Sequence, residues 1–234
     1  SILALSMISC KKNETSEEQP NNDAVIKQEI DRINNLDLSL KSLNLFKNQL
    51  NSNTVLNEIN GFSKIKGFNY SINTFEDNGK SISFTIKITS TSFSNQEGIS
   101  KKFELLYIDL TPYLINEKER ISGIQFRNQF SESQIININT DPQKILDYVI
   151  YFELHKDWFN YEIFNFELTD TQFNLNIKVK FKTNDFHVEQ TDKLSFNYTI
   201  SNDVEDLEPG WSYKSDTKAE EVNQFSIKHI KKLH

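Results

Sequence analysis

The feature that most constrains the fold of this chain is a strict alternation of apolar and polar residues in several short segments. Apolar side chains occupy every second position in the segments 82–88, 173–181 and 194–200. A period of two places alternate side chains on opposite faces of an extended strand. The sequence therefore predicts antiparallel strands that bury one face and leave the other in water.

Less regular strands are expected at 67–76, 101–110, 121–130, 158–168 and 222–230. The residues Asp77, Asn78 and Gly79 lie between two of the predicted strands and have the composition of a tight hairpin turn.

Residues 24–51 have a different period. Their large apolar residues recur at steps of three and four, and Asp23 precedes them as a candidate cap. This spacing predicts one amphipathic helix that packs on its own domain, with a short coiled coil as the alternative. The stripe consists of Ile26, Ile30, Ile33, Leu36, Leu40, Leu43 and Leu50.

The segments 68–110 and 159–201 align without gaps at a distance of 91 residues, with about 10 identities in 43 positions. Both copies change the parity of their apolar positions at the same point, and a shared β-bulge explains such a change. Upstream of the second copy, Asp141 and Pro142 favour the start of a helix over 142–153. We expect a tandem repeat; chance matching of strands rich in Phe, Asn, Ile and Lys is the alternative.

The predicted fold class is α+β. The N-terminal helix at 24–51 precedes two units, 52–139 and 140–234, each made of a helix followed by an antiparallel sheet. Such helix-then-sheet units resemble cystatin-like modules and the tandem-module inhibitor lipoproteins of bacterial envelopes. This resemblance concerns the fold and carries no function.

The start of the chain resembles the processing signal of bacterial lipoproteins. An apolar run at 2–8 is followed by Ser9 and Cys10, and the tetrad Met7-Ile8-Ser9-Cys10 is similar to a lipobox. The resemblance implies that residues 1–9 are the remnant of a signal peptide and that Cys10 carries acyl chains such as palmitate, which anchor the protein to a membrane. Residues 10–23 would then be a lipidated, disordered tether, since 11–23 contain no aliphatic or aromatic residue.

The charge and the reactive residues exclude several classes of function. The formal net charge of −7 disfavours nucleic acid as a partner. Cys10 is the one cysteine, and the four histidines have no metal-ligand spacing, so no metal or cofactor is predicted. His155 and Asp157 could place two ligands on one strand face, but a helix end or loop at the surface is the interpretation that we favour.

No catalytic motif supports an enzyme. Acidic pairs such as Glu117/Glu119, Glu205/Asp206 and Glu220/Glu221 lie in polar stretches and are expected to be solvated. A carboxylate-based hydrolase of the envelope remains an alternative, and it requires two such groups about 5–10 Å apart in a cleft.

Three aromatic residues are candidates for binding, because they differ from the strand aromatics. Trp211 and Tyr213 follow Pro209 and Gly210 in a segment with the composition of a loop, and Trp158 precedes a predicted strand. Such rings anchor a protein partner or stack on a sugar, or they cap the edge of the core. The sequence as a whole favours a non-enzymatic binding or scaffold lipoprotein that presents a sheet face or the 205–215 loop to a protein partner. Its expected location is the outer membrane, facing the periplasm or the cell surface. A glycan-binding lipoprotein is the further alternative.

Overall fold

The computed structural model describes residues 22–92 and 96–201, which form a mixed α and β protein with antiparallel sheets. The α-helices are α1 (Asn22–Asn34), α2 (Thr111–Ile121) and α3 (Glu132–Thr140), and 3-10 helices span Val55–Asn57 and Pro142–Tyr148. The strands are β1 (Ser39–Leu40), β2 (Asn44–Leu45), β3 (Ile59–Asn60), β4 (Phe68–Asp77), β5 (Ser81–Ser90), β6 (Glu97–Ile99), β7 (Phe103–Leu106), β8 (Ile108–Asp109), β9 (Gln125–Phe126), β10 (Gln129–Phe130), β11 (Val149–Ile150), β12 (Phe159–Leu168), β13 (Gln172–Phe181), β14 (Glu189–Gln190), β15 (Leu194–Asn197) and β16 (Thr199–Ile200).

The long strands form two sheets of the same design. In the first, β5 pairs with β4 on one side and with β6 and β7 on the other, all antiparallel. In the second, β13 pairs with β12, β14 and β15 in the same way. The bounds of β4, β5, β7 and β8 recur 91 residues later as those of β12, β13, β15 and β16. The spacing of the sequence alignment is therefore also the spacing of the strands.

The smaller pairings recur as well. Strands β1 and β3 are antiparallel, as are β9 and β11, while β2–β8 and β10–β16 are parallel pairs. We call residues 22–109 the first unit and residues 111–201 the second unit. Each unit therefore has one four-stranded sheet and two short accessory pairs; the first unit contains the α-helix α1, and the second contains α2 and α3.

The predicted bulges and hairpin turn are confirmed. The pairing register shifts between Ile72 and Thr74 in β4 and between Phe164 and Glu167 in β12. Between β4 and β5, Gly79 adopts a φ of 84°, which an L side chain rarely adopts. The strand predictions at 67–76 and 158–168 are accordingly close to the observed β4 and β12.

The helix prediction for 24–51 is wrong in its second half. Helix α1 ends at Asn34, and Asp23 lies in its first turn rather than before it. Leu40 belongs to the predicted stripe but lies in the short strand β1, where it is buried. Leu45, which is not part of the stripe, is buried in the short strand β2. Apolar residues at three- and four-residue steps also arise when a chain crosses a core in short segments, and this is such a case.

Other expected boundaries also differ. The strand expected at 121–130 is two short strands after α2, and the helix expected at 142–153 is a 3-10 helix that ends at Tyr148 and gives way to β11. The pattern of the sequence did not predict α2 or α3. The hydrophobic contacts divide near residue 110, whereas the expected boundary lay between residues 139 and 140.

Each unit has its own hydrophobic core, and the side chain of Phe46 connects the two cores. Phe46 belongs to the first unit but packs into the second core, where its ring centroid lies 6.0 Å from that of Phe181 and 6.2 Å from that of Phe186. The strand expected at 222–230 lies outside the described residues. Within 22–92 and 96–201, no helix combines the length and the apolar character that a membrane span requires.

Candidate functional site

A cavity that is large enough to hold a ligand lies between the two units. It has a volume of about 540 Å³ and contains residues from both units, so we call it the inter-unit cleft. Its walls combine apolar, amide, hydroxyl and carboxylate side chains: Ser42, Asn44, Leu45, Gln49, Glu58, Leu110, Asp157, Trp158, Phe181, Thr183, Asn184 and Asp185.

The wall from the first unit is held in place by local hydrogen bonds. Strand β2 pairs in parallel with β8, and the backbone N–H of Leu110 donates to the carbonyl of Leu45 at 2.9 Å. The side chain of Gln49 accepts from the N–H of Phe46 at 3.0 Å. The same oxygen accepts from the side-chain amide of Asn184 at 2.9 Å, which joins the two units at the edge of the cleft.

Trp158 forms part of the opposite wall. Its backbone N–H donates to the carbonyl of His155 at 3.0 Å, and its carbonyl accepts from the N–H of Lys182 at 2.9 Å. These bonds fix its backbone at the open end of the β12–β13 hairpin. The ring is half-buried and packs partly against the second core. Trp158 is thus both a core-edge residue and a cleft residue, whereas Trp211 and Tyr213 lie outside the described residues.

The cleft is negatively charged. Glu58, Asp157 and Asp185 are exposed at its rim, and they form no ion pair with the described residues. No Lys or Arg of the described chain lines it, although Lys156 and Lys182 are sequence neighbours of lining residues. Within the same part of the chain, no three acidic, His or Cys side chains come together as a metal site would require. A cleft of this charge attracts cations.

A second group of polar residues is buried inside the second unit. Arg120 donates to both carboxylate oxygens of Glu117, at 3.1 and 2.7 Å, and to the carbonyl of Glu153 at 2.6 Å. The hydroxyl of Tyr161 donates to Glu117 at 2.7 Å and accepts from the N–H of His155 at 2.9 Å. We call Glu117, Arg120 and Tyr161 the buried ionic cluster.

Electrostatics within the cluster are dominated by burial and by the ion pair. Burial alone would raise the pKa of Glu117, but contacts with His155, Arg120 and Tyr161 outweigh it and hold this pKa below its ordinary value. Burial, followed by the Glu117 carboxylate, raises the pKa of Tyr161 far above its ordinary value. Glu117 therefore stays ionised and Tyr161 stays protonated over the physiological range of pH.

The first unit contains the same cluster in a more exposed form. Arg32 donates to Glu29 at 2.6 Å, and the hydroxyl of Tyr70 donates to Glu29 at 3.0 Å. The backbone N–H of Ile65 donates to Tyr70 at 3.1 Å, where the second unit has His155. Ile65 in the first unit takes the place of His155, so the cluster forms without a histidine side chain. What the two clusters share is that each joins a helix to a sheet.

The expectation that Glu117 and Glu119 form a solvated pair is therefore wrong for Glu117, which is fully buried. The expectation of a loop at His155 is correct, but its side chain is only 11% exposed and its Nδ1 lies 3.4 Å from the Glu117 carboxylate. The recurrence of Glu-x-x-Arg, 88 residues apart, with a Tyr in each long strand was the sequence signal for the cluster.

Comparison of the chain with protein-family models, with curated proteins and with solved structures gives no match. The assignment of a site therefore depends on the geometry of this molecule alone, and the inter-unit cleft is the region that this geometry favours.

We predict that Tyr161→Phe lowers the free energy of unfolding by about 2 kcal/mol, because a bond to a buried charge is lost and the His155 N–H loses its acceptor. Tyr70→Phe is the matched control, and its effect should be below about 1 kcal/mol since water can replace the hydroxyl at that half-exposed site. Urea unfolding followed by far-UV circular dichroism measures both. Equal effects of the two substitutions would contradict the greater contribution to stability that we assign to the Tyr161 hydroxyl.

We also predict a pH-dependent contribution from Glu117. Its pKa is lower in the folded than in the unfolded protein, so its stabilisation is present above the unfolded value of about 4.3 and is lost as the pH falls through the folded value. Glu117→Gln should therefore destabilise the protein at pH 7 by more than at pH 3. Urea midpoints at pH 7, 5 and 3 test this, with Glu119→Gln as the control on the same helix. A difference between wild type and Glu117→Gln that is constant with pH would refute it.

Proposed function

We propose that this protein is a non-enzymatic binding lipoprotein, anchored through Cys10, which holds a positively charged group of a protein partner in the inter-unit cleft. The observation that carries the proposal is the cleft itself, in which Trp158 and three carboxylates that form no ion pair within 22–92 and 96–201 line one cavity of about 540 Å³.

The chemistry of the cleft favours an amine or a guanidinium. A cation that lies over an indole ring gains about 0.5–2 kcal/mol, and more when it is desolvated. Two unit charges about 4 Å apart at a protein surface attract each other by several kcal/mol before desolvation is counted. The amides of Asn44, Gln49 and Asn184 supply further donors and acceptors that would orient the bound group.

A protein partner fits these requirements because Lys and Arg side chains carry such cations on long stems. Arg in addition stacks on aromatic rings and donates to carboxylates in a fixed fork. The backbone of Trp158 is fixed by hydrogen bonds to His155 and Lys182, so the residue is held at the wall of the cleft without a rearrangement of the backbone.

The membrane anchor rests on the sequence. An apolar run, Cys10 and a polar tether support it, and the expected tether leads to the start of α1 at Asn22. Two or three acyl chains gain about 0.8 kcal/mol for each buried methylene, which is enough for stable attachment. The expected location is the outer membrane, facing the periplasm or the cell surface. The strands that recur after 91 residues support a duplication, and the helix with a four-stranded sheet in each unit supports the cystatin-like arrangement. The binding function requires neither.

A carboxylate-based hydrolase of envelope glycans is the second candidate. The presence of Glu58, Asp157 and Asp185 in one cleft favours it, because glycoside hydrolysis uses two carboxyl groups. The same cleft, with its tryptophan, would hold a glycan without catalysis. Binding of a cation is preferred since all three charged side chains in the cleft are negative.

The cleft is tested with a tetra-arginine amide peptide and isothermal titration calorimetry. We predict that the double variant Asp157→Asn/Asp185→Asn weakens binding at least tenfold, because the cleft loses two of its three negative charges. Asp147→Asn, which neutralises an exposed carboxylate away from the cleft, should change the affinity by less than twofold.

Equal binding of tetra-arginine and tetra-glutamate peptides, or an equal loss in Asp147→Asn, would refute a specific cationic site. Hydrolysis of an envelope glycan by the wild type, abolished in the double variant, would support the hydrolase instead.

The anchor is tested by expression of the chain behind a complete signal peptide, beside Cys10→Ala. We predict an intact mass that includes acyl chains and partitioning into the detergent phase for the wild type, and the loss of both in the variant. A wild type of unmodified mass that stays in the aqueous phase would end the lipoprotein proposal and leave the cleft proposal untouched.

A further inference from the structure

The two units differ at the outer edge of their sheets. Strands β4 and β12 each pair with a single long neighbour, so one edge of each is available for further bonds. In the second unit the side chain of Gln143 covers this edge. Its Oε1 accepts from the N–H of Ile163 at 3.0 Å, and its Nε2 donates to the carbonyl of Tyr161 at 2.8 Å. A residue of an added strand would use its own N–H and carbonyl for the same two bonds.

The corresponding groups of the first unit are the carbonyl of Tyr70 and the N–H of Ile72. Their direction follows from the pairing of β5. The N–H of Ile86 donates to Ser100 Oγ at 2.8 Å and its carbonyl accepts from the Ser100 N–H at 2.8 Å, so Ile86 bonds on the side away from β4. Because Ile86 pairs with Ile72, the two form a non-hydrogen-bonded pair, and Ile72 directs its own polar groups outward from the sheet.

The second unit shows the same geometry directly. Ile177 bonds in the same way to Thr191 Oγ1 and pairs with Ile163, whose N–H does point outward to Gln143.

Asn53 takes the place of Gln143 in the first unit. The N–H of Asn53 donates to the side chain of Asn51 at 2.8 Å, as the N–H of Gln143 donates to that of Asp141 at 3.2 Å. Asn53 lies two residues before the 3-10 helix Val55–Asn57, and Gln143 lies in the first turn of the 3-10 helix Pro142–Tyr148. The side chain of Asn53 is one methylene shorter. It makes no hydrogen bond with β4.

A cavity of about 250 Å³ lies at this point of the β4 edge. Its walls are mainly polar and include Tyr70 and Ile72, whose counterparts Tyr161 and Ile163 bond to Gln143. The lining residues are Ser52, Asn53, Leu56, Asn57, Lys64, Tyr70, Ser71 and Ile72. The first unit therefore has an open space where the second unit has an amide group.

We propose that the β4 edge at Tyr70–Ile72 is a docking site for an extended peptide segment of a partner protein, whose backbone amides pair with β4. The chemistry of the occupant is indicated by the second unit, where the same backbone groups bind a carboxamide. A peptide backbone supplies this group at every residue, and addition of a strand to an exposed edge is an established mode of peptide recognition. This site is separate from the inter-unit cleft and does not depend on its function.

The substitution Asn53→Gln tests the proposal, because it gives the first unit the residue that closes the edge of the second. A random decapeptide library displayed on phage is selected against the full chain, and the selected peptides are titrated against each variant. We expect the dissociation constant to rise at least tenfold in Asn53→Gln. Asn57→Gln adds the same methylene in the same cavity and should change it by less than twofold.

A second variant keeps the test decisive if Asn53→Gln does not close the edge. Ile72→Pro removes the outward N–H, and proline is tolerated at such a position of an edge strand. It should also weaken binding at least tenfold, with folding checked by circular dichroism. Amide exchange at Ile72 in the wild type should be fast compared with Ile163.

Selected peptides that bind both variants as tightly as the wild type would overturn the proposal, as would a library that yields no binder. An Ile72 amide already protected in the wild type, because a second copy or another segment of the chain covers the edge, would overturn it as well.

Discussion

The architecture depends on the contact between a buried carboxylate on a helix and a tyrosine on the first long strand of the following sheet. In the second unit, Glu117 on α2 is paired with Arg120 and bonded by Tyr161 of β12, and all three are buried. A charge in this environment is costly unless every partner is present, so the cluster specifies one position of the helix on the sheet. The first unit repeats the arrangement with Glu29, and there Arg32 also donates to the carbonyl of Ser63.

The inter-unit cleft is a consequence of how the two units are joined. Phe46 leaves the first unit and packs against Phe181 in the second core, and the Gln49–Asn184 bond closes one side of the junction. Between these contacts the surfaces do not meet, and Trp158 forms one wall of the space that remains. Ligand sites commonly occur at such junctions, since each unit can contribute different side chains without a change in its own core.

The two units also differ in the surfaces that they present. The second unit has a more buried ionic cluster and an edge strand that Gln143 covers, whereas the first has a half-exposed cluster and an edge strand beside an open cavity. One chain thus combines an edge strand whose outward backbone groups are bonded by a side chain with an edge strand whose outward backbone groups have no such partner among the described residues. The unpaired backbone groups of an edge strand promote association with other chains. We therefore expect an edge to stay open where a partner binds to it and to be covered elsewhere.

The amino-acid sequence by itself determined the long strands, their bulges and their recurrence after 91 residues, because a period of two depends only on the local geometry of an extended chain. It could not distinguish α1 from the short strands after it, since Leu40 continues the helical spacing of Ile33 and Leu36 although it enters the core from a strand. Nor could it separate Glu117 from Glu119, because burial of a carboxylate depends on which elements pack over it. The cleft beside Trp158 depends on the tertiary structure, because its walls come from residues more than 100 positions apart in the sequence. The open edge of β4 depends on it as well, because only the packing of the chain determines which polar groups find a partner.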